Sequence, residues 1–177
     1  MRQVVPMRVD RRAALQRALG LAGLWAAVDA RAQSLDKGAV APDFELPGTH
    51  AAIKLSQYRG KVLYLDFWAS WCGPCKQSFP WMNAMQAKYG AKGLQVLAIN
   101  VDTKREDARK FLLSSPAAFE LAYDAQGLTP RLYGVKTMPS SYVIDRAGKV
   151  VAVHRGFAPE DSAALEQSVR LALEGTP

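Results

Sequence analysis

The sequence predicts an α/β fold, a central mixed β-sheet flanked by helices, with a short β extension in front of it. Three observations carry this. Val62–Trp68 and Leu94–Asn100 are apolar runs rich in branched and aromatic residues, the pattern of parallel-type strands buried on both faces. Each is followed by a helical pattern: Phe79, Met82, Met85 and Tyr89 recur at helical spacing after the first, and Arg105–Leu113 follows the second. Met138–Asp145 and Val150–His154 flank the turn Arg146-Ala-Gly-Lys149 and predict an antiparallel hairpin.

Taken in order, Ala41–Pro47 reads as an extended edge segment bounded by prolines. Gly48–His50 turns the chain, Ile53–Leu55 returns it as a short strand, and Leu55–Tyr58 starts a helical turn that Gly60 closes. Pro80 predicts a kink in the first helix, which ends at Gly90–Gly93. Asp102 or Thr103 is placed to cap the second helix, and Ser114–Pro116 stops it. Leu121–Asp124 is a short extended stretch and Leu128–Tyr133 a brief helix ended by Gly134. The last helix spans Pro159–Glu174, with Asp161 or Ser162 in its first turn and Leu165, Val169 and Leu173 on one face. Right-handed crossovers put the first two central strands side by side and parallel, and leave helices on both faces of the sheet.

The start of the chain has a different character. Six arginines stand against two aspartates before Gln33, an apolar stretch runs from Ala18 to Val28, and Ala30-Arg31-Ala32 fits an A-x-A cleavage site. Residues 1–32 read as a signal peptide, 33–39 as a linker and 40–174 as the folded domain. The apolar stretch is shorter than the ~20 residues of a spanning helix. Arg11-Arg12 hints at twin-arginine export, although Asp10 and Ala13-Ala14 fit that signal poorly. Of the formal charge of +7, the leader holds much; the remainder carries 17 basic and 14 acidic residues. No basic stripe with interleaved aromatics occurs, so nucleic acid is not an expected partner.

Cys72-Gly-Pro-Cys75 sits where the first apolar strand gives way to a helix, with Pro74 suited to a first helical turn. The free N–H groups and the dipole of a helix start favour a thiolate at Cys72, which lowers its pKa and makes it the attacking sulfur. Cys75, about one turn on, is the resolving thiol that releases the mixed disulfide. These are the only two cysteines, and His50 and His154 lie far apart, so a closed four-ligand zinc site is not expected. Haem attachment would need histidine where Lys76 stands. Neither a metal nor a cofactor is implied. Lys76 reads as a solvated helix residue and Trp68 as core.

Trp71-Cys-Gly-Pro-Cys75 after Asp66-Phe67-Trp68, with Met138-Pro139 downstream, resembles a thioredoxin fold. Ala41-Pro-Asp-Phe-Glu-Leu-Pro47, Tyr58-Arg-Gly-Lys61 and Asp145-Arg-Ala-Gly-Lys149 narrow this. They resemble the exported TlpA/ResA-like thiol–disulfide oxidoreductases, a branch with an N-terminal β extension and a central insertion. The resemblance covers about Val40–Glu174. It implies a cis Pro139 facing the Cys72–Cys75 redox-active disulfide. It also implies a substrate-binding surface of Trp71, Gly73, Pro74, Met138 and Pro139, where the backbone of Met138 or Pro139 pairs with the substrate chain. Asp66 matches the aspartate that relays protons for the resolving cysteine in thioredoxin. Many members of the branch carry Asn there and several carry Glu where this chain has Ser78. The acid–base role is therefore expected of Asp66.

The resulting expectation is an exported thiol–disulfide oxidoreductase that reduces protein disulfides, with cytochrome c maturation and copper-centre assembly as the substrate classes the branch implies. A membrane thiol donor is implied by family and compartment, and nothing argues against a monomer after leader cleavage into the periplasm. A dithiol oxidase shares every motif and differs only in potential. A peroxiredoxin-like peroxidase is disfavoured because Ala69 stands where that pattern has threonine. A Sco-type copper chaperone would need His154 as a ligand and more widely spaced thiolates.

Overall fold

The structure, a computed structural model, describes residues 35–175; the expected signal peptide and the first residues of the linker lie outside the described residues. The chain begins with a two-stranded antiparallel sheet, β1 (Glu45–Pro47) and β2 (Ala52–Lys54). Leu55 opens a 3-10 turn, Leu55–Tyr58, as the sequence predicts, and the strand before it ends one residue earlier than expected, at Lys54; the turn buries Leu55 and Tyr58. Then follow β3 (Val62–Trp68), α1 (Gly73–Tyr89), β4 (Leu94–Asn100) and α2 (Arg105–Ser114). The remaining elements are β5 (Glu120–Tyr123), α3 (Leu128–Leu132), β6 (Ser140–Ile144), β7 (Val150–Arg155) and α4 (Ser162–Glu174).

The main sheet has strand order β5-β4-β3-β6-β7. The pairs β3–β4 and β4–β5 are parallel, and β6 and β7 are antiparallel. The sheet is therefore mixed, as the sequence predicts. The short stretch near Leu121 is its fifth strand, because Leu97–Asn100 pairs with Glu120–Tyr123. Pro80 lies inside α1 without dividing it. Gly93 ends the turn after α1 with φ +98°, in the left-handed region that glycine enters at little cost. A 3-10 turn over Pro159–Asp161 precedes α4.

Strand alternation divides the core in two. Along β3, Val62, Tyr64 and Trp68 belong to one apolar cluster, with Phe79 and Met82 of α1, Phe111 of α2 and Val169 of α4. Leu63, Leu65 and Phe67 belong to the other, with Phe44, Leu55, Tyr58 and Tyr133. Thus α1, α2 and α4 share one face, and the β extension and its 3-10 turn help close the opposite face. All seven residues of β3 are buried. The helix-side cluster is dense in rings. Phe79 lies 4.9 Å from Trp68, 4.9 Å from Phe111 and 5.3 Å from Phe119, centroid to centroid.

Phe79 thus joins α1 to the sheet, to α2 and to the approach to β5. Phe79→Ala is expected to cost about 3–5 kcal/mol of stability, read as the shift in a chemical denaturation curve.

Candidate functional site

The chain leaves β3 at Trp68 and enters α1 at Gly73, so four residues make the turn. Cys72 occupies the N-cap position with extended backbone, φ −85° and ψ 105°, and Pro74 stands in the first turn. The Cys72 Sγ accepts a hydrogen bond from the Cys75 N–H at 3.2 Å. The sulfur thereby takes the place that Ser or Asp fills at ordinary helix starts. Cys72 and Cys75 are joined as a disulfide, with Cα atoms 5.4 Å apart. Cys75 is fully buried and Cys72 retains 4% of its exposure, so the first sulfur is the more accessible. Trp71, next to it, is 70% exposed, whereas Trp68 is fully buried. Gly73, Pro74 and Lys76 lie on the surface around the pair. Nothing lies within 4 Å of where a Gly73 Cβ would stand.

The turn is held from the neighbouring strand. Asp102, expected as a helix cap, accepts from the Ser70 N–H at 3.0 and 3.2 Å, from the Ser70 hydroxyl at 3.0 Å and from Asn100 Nδ2 at 2.8 Å. Its carboxylate therefore cannot serve α2, whose N-cap is Lys104 with no side-chain hydrogen bond. Sequence reading missed this clamp. Asp102 precedes a helical pattern, and only the parallel pairing of β3 with β4 brings it to Ser70.

The Met138–Pro139 bond is cis, as the resemblance implies. The Pro139 carbonyl is occupied by the Gly156 N–H at 2.8 Å, and β6 begins at Ser140. Met138 is half-buried and packs against both apolar clusters.

Asp66 is 1% exposed in the middle of β3. Alternation places it on the face of Tyr64 and Trp68, the side to which both cysteines also belong. Its Oδ2 has no hydrogen-bond partner among the described residues. Burial alone pushes its carboxyl well above the usual carboxylate range, because the charged form loses its hydration. Trp68 Nε1 and Trp81 Nε1 are likewise buried without partners among the described residues. Ser78, where other members of the branch carry Glu, is buried, and its hydroxyl donates to the Cys75 carbonyl at 3.1 Å.

A cysteine disulfide across the first turn of a helix, on a mixed five-stranded sheet with a cis proline before an inner strand, defines a thioredoxin-fold thiol–disulfide protein. Residues 37–153 match the AhpC/TSA family, and the chain belongs to it. It is 33% identical over 138 residues to the thiol-disulfide oxidoreductase ResA of Bacillus subtilis, covering 77% of each chain. It is 35% identical to ResA of Geobacillus thermodenitrificans over 120 residues, 67% of this chain and 69% of that one. Among solved structures, a candidate thiol:disulfide interchange protein DsbE from Chlorobium tepidum is 64% identical with a TM-score of 0.78. The match covers 79% of this chain and 99% of that one. These relatives make the chain a thiol–disulfide oxidoreductase.

Two expectations follow from the geometry. Asp66 gains protons on folding, so its unfavourable contribution is absent below the unfolded pKa and grows as pH rises towards the folded pKa. Asp66→Asn is therefore expected to stabilise the protein at pH 7 by about 2 kcal/mol, with the gain shrinking towards pH 4, as read by thermal unfolding across that range. Asp102→Ala strips the Ser70 and Asn100 donors of their acceptor and is expected to cost about 1–3 kcal/mol in chemical denaturation.

Proposed function

We propose that the protein is an exported thiol–disulfide oxidoreductase that reduces protein disulfides. The observation that carries this reading is the Cys72 sulfur at the N-cap of α1, accepting the Cys75 N–H, with its partner sulfur fully buried. In the dithiol form the same N–H groups and helix dipole favour a Cys72 thiolate. That thiolate attacks one sulfur of a substrate disulfide and the other substrate sulfur leaves. Cys75 then attacks the Cys72 sulfur, the mixed disulfide breaks and the Cys72–Cys75 disulfide forms. The substrate gains two electrons and the enzyme loses them.

Asp66 accepts the Cys75 proton before that second attack. Burial supports this role, since it pushes the carboxyl well above the usual carboxylate range, the direction that makes it a better proton acceptor. Trp71, Gly73, Pro74, Met138 and Pro139 form the docking surface. Because the Pro139 carbonyl is bonded to Gly156, Met138 is the residue whose backbone pairs with the substrate chain. The arginine-rich leader with its A-x-A ending supports export and a periplasmic location after cleavage. In an oxidising compartment a reductase needs a dedicated donor, for which a membrane thiol protein is suited. Cytochrome c maturation and copper-centre assembly supply the substrate classes, and the protein acts as a monomer. Ala69 in the position of the peroxidatic threonine, together with the C-x-x-C disulfide, weighs against a peroxidase.

Cys72→Ser is expected to abolish disulfide reduction, and Cys75→Ser to accumulate a mixed disulfide with substrate that non-reducing electrophoresis detects. The reverse pattern would exchange the two roles. Equilibration with glutathione is expected to give a potential of about −230 mV or below; a value near −120 mV would make the protein a dithiol oxidase instead.

A further inference from the structure

The Asp66 carboxyl is sealed from solvent, yet a base that accepts a proton in each turnover must also release it. The strand registers show a polar line leading away from it. Asp66 on β3 pairs with Ser141 on β6, and Ser141 pairs with His154 on β7. Directly paired residues share a sheet face, and neighbouring strands lie about 4.8 Å apart. The line therefore crosses two strands, about 10 Å, on the face covered by α1 and α4. The same-face pair on one side of it is apolar: Val143 and Ala152 are paired beside Ser141 and His154 and belong to the helix-side cluster.

The line is polar at every step. Ser141 is buried, and the buried Tyr64 lies on the same face of the sheet. A cavity of about 70 Å³ lies between the sheet and α4, lined by Ser141, His154, Ala164 and Ser168 among others. That is room for water beside the Ser141, His154 and Ser168 side chains, the rest of the wall being apolar. His154 Nε2 is buried without a hydrogen-bond partner among the described residues, 3.3 Å from the Asp161 carboxylate, while the side chain as a whole keeps 29% of its exposure. The imidazole thus reaches from the cavity to the surface. Tyr64 faces this line from β3, Asp161 from the turn before α4, and the cysteine pair from α1. Ala98 on β4, and Ala164 and Ser168 on α4, bring no charge.

We propose that Ser141 and His154 form the route by which protons leave Asp66 for solvent, with Asp161 holding the imidazole at its mouth. The inference rests on the reading of Asp66 as the acid–base group. In the resolving step the Cys75 thiol gives its proton to Asp66, and its sulfur bonds to Cys72 Sγ. The Cys72–substrate bond breaks, and the departing substrate sulfur takes the electron pair and a proton from water. The proton on Asp66 then passes by the Ser141 hydroxyl and cavity water to the His154 imidazole, which releases it. Ser141 and His154 are positioning residues here, since neither touches the reacting sulfurs.

The test is the single-turnover oxidation of the reduced full-length protein by insulin, followed by tryptophan fluorescence from pH 6 to 8 at low buffer concentration. His154→Gln is expected to slow the resolving step about tenfold, and added imidazole to restore it, since a diffusible base replaces the missing one. Ser141→Ala slows it comparably without rescue, whereas Ser141→Thr keeps a hydroxyl and stays near the unaltered rate. Asp66→Asn is slow and indifferent to imidazole. Because His154 is half-exposed, its variant carries the test should the Ser141 variants fail to fold. A slow Asp66→Asn beside a His154→Gln of unaltered rate and pH profile would overturn the route and leave Asp66 as the base. An unaltered Asp66→Asn would remove the base and the route together.

Discussion

The first N–H groups of α1 have no partner within the helix, and the sulfur of Cys72 accepts one of them. The site is built on that hydrogen bond. A thiol is a poor acceptor and a thiolate a good one, so the helix start favours the reactive form. The bond forms only if Cys72 arrives at the N-cap with extended backbone. That in turn depends on the turn from Trp68 to Cys72, which Asp102 fixes through both the N–H and the hydroxyl of Ser70. A carboxylate at the end of one strand therefore sets the position of a sulfur at the end of the next.

The hydrophobic core supports this arrangement with unequal treatment of the two cysteines. Trp68, Phe79 and Phe111 enclose the base of α1, and Cys75 falls within that cluster. Cys72 stands at its rim beside an exposed Trp71. Two identical side chains three residues apart thereby acquire different access to a partner, which is what a sequential exchange of disulfides requires. Asp66 is the cost of the arrangement. A carboxyl in an otherwise apolar strand opposes folding at neutral pH, and it lies on the same face of the sheet as the cysteines.

The helix-side face is not uniformly apolar. Asp66, Ser141 and His154 form a row across three strands, and no two of them are close in sequence. Such a row is polar within a face otherwise closed by α1 and α4, and its most exposed member is His154, on the edge strand β7.

By itself the sequence determined the strands β3 and β4, the helix that follows each, the cysteine pair at a helix start and the special proline at residue 139. Each of these is a local signal: an apolar run, a 3.6-residue period, or a short motif in its strand–helix setting. Local signals also led to error where a residue has two uses. Asp102 looks like a helix cap because it precedes a helical pattern, yet its carboxylate is taken by Ser70. The short run near Leu121 gives no sign that it joins the sheet, because four residues do not display a period. What only the tertiary structure decided is the rest of the adjacency, β6 beside β3 and β5 beside β4, and the register throughout the sheet. Register is set by packing over the whole sheet, so a residue such as Ser141 or His154 carries no mark of its neighbours in its own segment.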